Sequence, residues 1–469
     1  MAMRASIKMA LITSAAVGAI GFSVIKAQAG GFYVHEQSAY FQGTSWAGVA
    51  AGGPSLSAMF WNPATITQHG LGLTTEVNAT TAFPRTDITP IAATSPTGVD
   101  LTPFGRSGNL HDEAGFIPAS YYVYGLNNWI SFGLGLNSPF GLRTQPNPLW
   151  AGMFYSRESE VKSINATPTV ALKINDWLSV GVGAQIEYFK VKLYSAFPGS
   201  GATGPFPFLA PVAPDQLRID GDSIDFGFTA GITITPTPWT TIGVGYRSRI
   251  DHGIEGDIFR PAFVAPVRIG AALIPVGFPS AFVNFSATVP LPDIASASIR
   301  QKITESFTLL GTVEWTNWSR LGRVPVATNP IGPIPGIPTE LAFEWRDGWL
   351  VSGGVEYQWT GQIAVRAGIG WEQSPITDRT RGTRLPDADR LWVSAGGTYK
   401  WNEQLWIDFG YSHVFVDDAA INLTAASGNP TFNPGLGTFV GTANGQVDIL
   451  SIALRYRFLP PAAPVVGKG

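Results

Sequence analysis

Residues 178–188 read LSVGVGAQIEY and alternate strictly between two kinds of side chain. Small or polar residues separate the apolar ones, which are Leu178, Val180, Val182, Ala184, Ile186 and Tyr188. A period of two places the two sets on opposite faces of a β-strand, whereas a helix would mix them. This stretch therefore predicts a strand with one apolar and one polar face.

The same alternation recurs along most of the chain. It predicts fourteen strands, at about residues 70–83, 111–126, 128–140, 158–174, 177–194, 218–235, 239–256, 282–303, 306–320, 339–359, 362–375, 389–401, 404–417 and 446–458. The connections alternate between short and long, as in Asn127 followed by Gly141–Arg157. Short turns on one rim and long loops on the other are typical of bacterial outer-membrane barrels.

Tryptophans cluster at the predicted short turns. They are Trp129, Trp177, Trp239, Trp359, Trp401 and Trp406. Because the amphipathic indole ring favours the headgroup layer of a membrane, these residues predict an aromatic girdle on the periplasmic side.

The composition is also that of a membrane barrel. Charged residues make up 13% of the 469 residues, about half the share usual in soluble domains, although 45% are hydrophobic. No stretch after residue 30 gives the about 20 consecutive apolar residues of a transmembrane helix. The absence of cysteine excludes thiolate sites, and a net charge of −3 argues against nucleic acid as a partner. We predict an all-β fold, a 14-stranded antiparallel transmembrane β-barrel in the cell outer membrane of a Gram-negative bacterium.

Residues 1–29 have the three parts of a secretory signal peptide. Two basic residues precede an apolar run, Met9–Ile25, and the small-residue motif Ala27-Gln28-Ala29 follows it. A membrane anchor is the alternative, against which the small-residue motif argues. We therefore expect the mature chain to begin at Gly30 and to be exported.

The stretch after this signal shows neither a helical nor a strand period. Residues 30–64 read GGFYVHEQSAYFQGTSWAGVAAGGPSLSAMFWNPA. Such a segment needs a surrounding layer, because it cannot bury its scattered apolar side chains alone. We predict an N-terminal hatch inside the lumen at residues 30–69, the barrel at 70–458 and a periplasmic tail at 459–469, in which three prolines argue against a further strand.

Several of these residues resemble a known family. The pattern is Gly31-Phe32, Glu36, Ser38, Gly43, Gly48 and Asn62-Pro63-Ala64, and it continues in LPDIASASIRQKI (291–303), WTNWS (315–319) and LPDADRLWVSAGGTYKW (385–401). The chain is thereby similar to the long-chain fatty-acid transporter (FadL) family of outer-membrane channels for hydrophobic compounds.

The resemblance implies roles for hatch residues. Phe32 matches an aromatic residue that reaches into an inner pocket of that family, although an ordinary apolar contact in the lumen is an alternative. Asn62, Pro63 and Ala64 match the family's hatch motif, and Glu36 and Ser38 belong to the same pattern. In that family the N-terminus shifts, and the substrate leaves sideways into the membrane at a kinked third strand.

The third predicted strand contains an interruption. It consists of Asn137, Ser138, Pro139, Phe140 and Gly141. A proline donates no ladder hydrogen bond and is confined to strand ends, edges and bulges. The residues alone leave two interpretations open, a lateral gate and an ordinary strand end before a long loop, and the resemblance favours the gate.

Four arginines occupy strand positions that the alternation predicts to face the lumen. They are Arg247, Arg366, Arg455 and Arg457. They are candidates for binding a substrate carboxylate, but pairing with Glu187 and Glu372 is favoured because a buried charge is costly unless it is compensated. Lumen-facing glycines such as Gly181, Gly245 and Gly368 are expected to make room for the hatch.

Two predicted loops are apolar although they should face water. Leu209–Val212 and Pro261–Phe285 are therefore candidates for collecting hydrophobic substrate or touching the outer leaflet. Enzymatic interpretations have little support, because no HExxH pair and no GxSxG elbow is present. We predict no metal site and no cofactor.

Together these features predict a monomeric channel that takes up hydrophobic small molecules by facilitated diffusion into the outer-membrane lipid. Long-chain fatty acids are the first candidate substrates and aromatic hydrocarbons the second, both by resemblance. A water-filled porin is the alternative from another class, against which the hatch argues, and a structural barrel is more remote.

Overall fold

The computed structural model describes residues 30–111, 114–198, 215–269, 272–329 and 337–458. The predicted signal peptide, the predicted tail and the apolar segment Leu209–Val212 lie outside the described residues.

Fourteen strands form the wall. They are β1 (Gly72–Thr94), β2 (Gly115–Gly125), β3 (Ile130–Asn137 and Gly141–Thr144), β4 (Glu158–Lys173), β5 (Leu178–Ala196), β6 (Gln216–Thr237), β7 (Thr240–Arg247 and Asp251–Arg260), β8 (Ala281–Pro290 and Ile294–Lys302), β9 (Phe307–Thr316), β10 (Gly348–Gln358), β11 (Ile363–Gln373), β12 (Arg390–Lys400), β13 (Leu405–Leu423) and β14 (Thr438–Arg457). Each pairs antiparallel with its neighbours in the sequence, and β1 pairs with β14 from Thr74 opposite Arg457 to Thr94 opposite Thr438. The predicted 14-stranded antiparallel barrel is confirmed.

Some predicted segment ends were wrong. Strands β1 and β14 continue well beyond residues 83 and 446, because their ladder extends through alternating polar residues above the apolar band. The segment predicted at 339–359 begins as a wall strand only at Gly348, because Glu340–Ala342 pairs with Arg323–Pro325 in a separate hairpin. A second hairpin, Phe263–Ile269 with Ala272–Phe278, lies within the apolar loop.

The outer face of the wall carries the apolar side chains. Phe226 is 71% exposed and Trp359 is 67% exposed, values that are unfavourable in water and natural in lipid. Of the six predicted girdle tryptophans, all but Trp406 are among the exposed large side chains. Alternation therefore sorts the wall as predicted, with apolar residues towards lipid and polar ones towards the lumen.

The hatch fills the lumen. Every residue from Gly30 to Ile66 is buried except Gly53 and Pro54. It contains one short helix, α1 (Ala39–Gln42), and three 3₁₀ turns, Val49–Ala51, Leu56–Phe60 and Pro63–His69. Further 3₁₀ turns lie in the loops, at Thr102–Phe104, Trp318–Arg320 and Pro434–Leu436. No helix among the described residues is long and apolar enough to cross a membrane.

Candidate transport path

Glycines on the inner face of the wall let the hatch backbone approach closely. A Cβ atom at Gly245 would lie 1.8 Å from the carbonyl oxygen of Trp61, and one at Gly181 would lie 2.5 Å from the amide nitrogen of Ala64. At Gly368 the same atom would lie 2.1 Å from the Thr44 carbonyl group. No side chain fits at these positions, so the glycines are there because the hatch packs directly against the wall.

Asn62 anchors the end of the hatch to the wall. Its Oδ1 accepts a hydrogen bond from the amide of Ala64 at 3.0 Å, which caps the turn that Pro63 begins. Its Nδ2 donates to the carbonyl of Ala50 at 2.7 Å and to that of Ile232, in β6, at 2.8 Å. One buried amide thus joins two parts of the hatch and a wall strand.

Ser38 and Glu36 lie in the first half of the hatch. The Ser38 hydroxyl caps α1 by accepting from the amide of Phe41 at 3.1 Å, and it also accepts from the Ser57 hydroxyl at 2.6 Å. Glu36 is 1% exposed, and neither of its carboxylate oxygens has a hydrogen-bond partner among the described residues. Burial raises the pKa of Glu36 to about 7.

The ladder between β2 and β3 stops at the interruption predicted from sequence. It runs from Gly125 opposite Ser131 to Ser120 opposite Leu136. Beyond that point β3 resumes as Gly141–Thr144, which pairs with β4. Pro139 therefore does not end the strand. It lies where β3 has lost its contact with β2 and kept its contact with β4.

The N-terminal segment of the hatch occupies this gap. The amide of Val34 donates to the carbonyl of Pro139 at 2.8 Å, and the amide of Gly141 donates to the carbonyl of Phe32 at 2.9 Å. Tyr33 and Phe140 form an antiparallel bridge between these bonds. The hatch thus behaves as a short extra strand along β3, where β2 would otherwise be the partner.

Asn137 and Ser138 complete the lining of the gap. Both are buried, and the Ser138 carbonyl accepts from Nε2 of Gln37 at 2.8 Å. The amide of Phe140 donates instead to the Ser163 hydroxyl on β4, at 2.8 Å. The five residues predicted as a gate therefore lie together against the hatch, and nothing in the geometry alone assigns them a transport role.

Next to the gap lies a large apolar cavity of about 1130 Å³. Phe32 forms part of the cavity lining. The centroid of the Phe32 ring lies 4.7 Å from that of Trp318 and 5.8 Å from that of Trp345. Further lining comes from Phe189 on β5 and Phe285 on β8. The volume is slightly larger than the roughly 300–1,000 Å³ usual for small-molecule sites. The cavity can therefore hold an elongated hydrophobic molecule.

Arg384 brings a positive charge to the cavity lining. It lies in the loop between β11 and β12, and its Nη1 donates to the carbonyls of Glu158 and Tyr194 and to the Ser159 hydroxyl, at 3.1–3.2 Å. No carboxylate of the described residues forms an ion pair with it. Burial lowers the pKa of Arg384 to about 10, so the group stays protonated at neutral pH.

The four arginines chosen from sequence lie elsewhere, and none of them lines the cavity. Arg366 pairs with Asp408 at 3.5 Å, and Arg455 lies 3.9 Å from the same carboxylate. Arg457 lies beside Gly70, at the end of the hatch.

The pairing of the four arginines with Glu187 and Glu372, which the sequence favoured, is not found among the described residues. Arg247 donates to the Phe60 carbonyl at 3.1 Å and to the side-chain oxygen of Gln185. Glu187 instead accepts from Asn165 at 2.8 Å and lies 3.4 Å from His252.

Strand alternation could not predict Arg384, because this residue lies on a loop that folds inward. The segment Asp378–Arg390 contains four arginines, and that density was the available signal. The apolar loop Pro261–Phe285 contributes Phe263, Val264 and Phe285 to the cavity lining. No group of residues in the described chain has the arrangement of a metal site.

Comparison with known proteins supports this architecture. Residues 22–458 match the family described as "Outer membrane protein transport protein (OMPP1/FadL/TodX)". The long-chain fatty acid transport protein of Escherichia coli O6:H1 is 27% identical over 425 residues, which cover 86% of this chain and 91% of that protein.

Two solved structures share the fold. A FadL homologue of Pseudomonas aeruginosa superposes with a TM-score of 0.76 at 22% identity, covering 92% of this chain and all of the other. The toluene transporter TbuX of Ralstonia pickettii superposes with a TM-score of 0.62 at 18% identity, covering 91% of this chain and all of the other. The chain belongs to the FadL/TodX family of outer-membrane channels for hydrophobic compounds, and it is a Gram-negative outer-membrane transport protein rather than an enzyme.

Proposed function

We propose that this channel takes up amphiphiles with a long apolar tail and an anionic head group, and that long-chain fatty acids are its substrates. The observation that carries the proposal is Arg384 in the lining of the apolar cavity. Its three hydrogen bonds all use Nη1, so Nη2 and Nε donate to none of the described residues. A guanidinium group with free donors suits a carboxylate.

The rest of the cavity suits the tail. Its lining is mostly aliphatic and aromatic, including Leu142, Val161, Val191, Leu193 and Ile219. Burying apolar surface contributes roughly 25 cal/mol per Å², so a long chain gains affinity with every methylene group that it places in the cavity. A charged head at Arg384 and an apolar tail below it would use both features.

The gap between β2 and β3 is the proposed exit. The hatch segment 32–34 fills it with only a few backbone hydrogen bonds. If Phe32 leaves the cavity lining when substrate arrives, the bond between its carbonyl and Gly141 breaks, and the gap opens towards lipid. The five residues Asn137, Ser138, Pro139, Phe140 and Gly141 are then the lateral gate. Substrate would leave by diffusion, without an energy source.

A second candidate is uptake of uncharged aromatic hydrocarbons. It is favoured by the mainly apolar lining and by the fold shared with the toluene transporter of Ralstonia pickettii. The two candidate substrate classes differ at Arg384: a fatty acid offers it a carboxylate, whereas a hydrocarbon has no group for it to bind.

Binding to the purified protein distinguishes them. Palmitate, its uncharged methyl ester and toluene are titrated at constant detergent concentration against wild type and Arg384→Gln. We expect the substitution to weaken palmitate binding about tenfold or more and to leave the ester unchanged. Arg379→Gln, in the same loop but paired with Glu344 at the surface, is the matched control. Equal affinity of acid and ester for wild type, or tighter binding of toluene, would contradict the fatty-acid proposal.

A further inference from the structure

A buried cluster of charged groups surrounds the first residues of the hatch. His35 lies 2.8 Å from Glu314, on β9, and 3.9 Å from Glu372, on β11. Asp387 forms an ion pair with Arg390, which also lies 3.7 Å from Glu372. All of these side chains are almost completely buried, so their charges must be compensated locally.

The cluster holds more acids than bases. Three carboxylates, on Glu314, Glu372 and Asp387, face two cations, Arg390 and a protonated His35. Glu36 adds a fourth acid, whose raised pKa lets it be neutral. Arg247, on β7, also acts electrostatically on Glu314, so the cluster has four acids and three bases and can compensate one further positive charge when Glu36 is ionised.

Gly30 is in position to supply a further positive charge. Its backbone nitrogen lies 2.7 Å from Oε1 of Glu372, and that of Gly31 donates to Asp387 at 3.0 Å. A Cβ atom at Gly30 would lie 2.5 Å from the same Glu372 oxygen, so a side chain does not fit there without a shift. Gly30 itself is buried.

We infer that the α-ammonium group of the processed chain, created at Gly30 by removal of the signal peptide, binds Glu372 and completes this buried cluster. An exposed α-amino group has a pKa of about 7.7–8.0, so it is largely charged at neutral pH. Cleavage after Ala29 would thus convert a neutral amide donor into a cation at the same position. A charge-assisted hydrogen bond is roughly twice as strong as a neutral one.

This site has a consequence for the gap in the wall. Gly30 is two residues from Phe32, whose carbonyl bonds Gly141. An ammonium group held by Glu372 therefore fixes the segment that fills the gap. Signal-peptide removal would make the hatch segment competent to close the barrel, whatever the substrate is.

The reactivity of the amine tests this inference. Mature protein is isolated from outer membranes, its N-terminus is identified by mass spectrometry, and the α-amine is methylated with formaldehyde and a reductant near neutral pH. We expect labelling at least about tenfold slower in the folded protein than in the denatured chain, since the paired ammonium is both buried and held in the unreactive charged form. The exposed Lys173 amine serves as the internal control.

Three variants make the test specific. Glu372→Gln should restore labelling to near the denatured rate. Trp392→Phe, which removes a neutral donor to the other oxygen of Glu372, should leave labelling slow. One alanine inserted between Ala29 and Gly30 moves the amine by one residue and should speed labelling even if Glu372→Gln fails to fold. A mature chain that begins elsewhere, or labelling unaffected by both Glu372→Gln and the insertion, would overturn the inference without bearing on the substrate.

Discussion

Val34 donates its backbone N–H to the carbonyl oxygen of Pro139 at 2.8 Å, where the ladder between β2 and β3 has already ended. The bond makes the hatch a partner of the wall as well as a plug in the lumen. On the other side of the gap, Val34 packs against Ile117 of β2. Hatch segment 32–34 therefore borders the cavity and also covers the break in the wall.

A disulfide across this contact should lock the gap. Tyr33 and Phe140 are antiparallel partners, a geometry that matches the Cα separation of a disulfide, and the chain has no cysteine of its own. We expect Tyr33→Cys with Phe140→Cys to abolish fatty-acid uptake when oxidised and to recover it on reduction. Uptake is measured in cells with a labelled fatty acid. Ile232→Cys with Val244→Cys, a pair within an intact ladder, should transport in both states. Uptake by the oxidised Tyr33–Phe140 variant would place the exit elsewhere.

Removing the Asn62 side chain should loosen the hatch. Asn62→Ala leaves the carbonyl groups of Ala50 and Ile232 without this donor, and each unsatisfied buried group costs about 1–3 kcal/mol. We expect easier release of the hatch, observed as conductance in planar bilayers, where wild type should be nearly silent. Asn62→Asp keeps the acceptor that caps the turn but loses the donor, so it should leak almost as much. If only the alanine variant leaks, the cap rather than the wall contact holds the hatch.

The strands could be predicted because their signal is local. The alternation at Leu178–Tyr188 requires only that neighbouring side chains point to opposite sides, and no distant residue alters it. The end of β1 was misplaced for the opposite reason. Thr86 and Asp87 resemble loop residues in sequence, but they lie in strand because β14 continues beside them.

The cavity could not be predicted because its lining comes from distant segments. Phe32 from the hatch meets Trp318 and Trp345 from a loop between β9 and β10, and no spacing in the sequence encodes that meeting. Strand register was also needed to choose ion-pair partners. Arg247, on β7, donates to Gln185, on β5, across Gly227 of the intervening strand β6. Glu187 lies farther along β5, opposite Asp225.

Truncation of Phe32 should weaken substrate binding and also speed release. The ring forms part of the cavity lining, so Phe32→Ala removes contact area that is worth about 1.5–3 kcal/mol when fully buried. It also removes the packing against Trp318 that holds the hatch segment in the gap. We expect about tenfold weaker palmitate binding and faster transfer of palmitate to lipid vesicles. Phe189→Ala, on a rigid wall strand, should weaken binding without speeding transfer. If the two variants bind and transfer palmitate identically, Phe32 only lines the cavity and does not hold the gap closed.

The hatch should be held more tightly in the lumen at acidic pH than at basic pH. Burial raises the pKa of Glu36 to about 7, above the value near 4.5 that it would have if released. Burial alone would lower the pKa of His35, but its hydrogen bond to Glu314 and the neighbouring carboxylates raise it. For both groups the docked hatch binds protons more tightly than the released one. This stabilisation is fully present below the released-state pKa values and is lost as the pH rises through the docked ones.

The charged groups that face these two side chains are Glu314, Glu372, Asp387 and Arg390, and the experiment must separate their titration from that of Glu36. Hydrogen exchange of hatch amides, corrected for intrinsic rates, should show greater protection at pH 5.5 than at pH 8. In Glu36→Gln, which mimics the protonated acid, the dependence should become shallower and protection at pH 8 should rise. A pH dependence unchanged in Glu36→Gln would assign the effect to His35, its carboxylates and the α-amine inferred at Gly30. No dependence at all would mean that the hatch does not exchange protons when it moves.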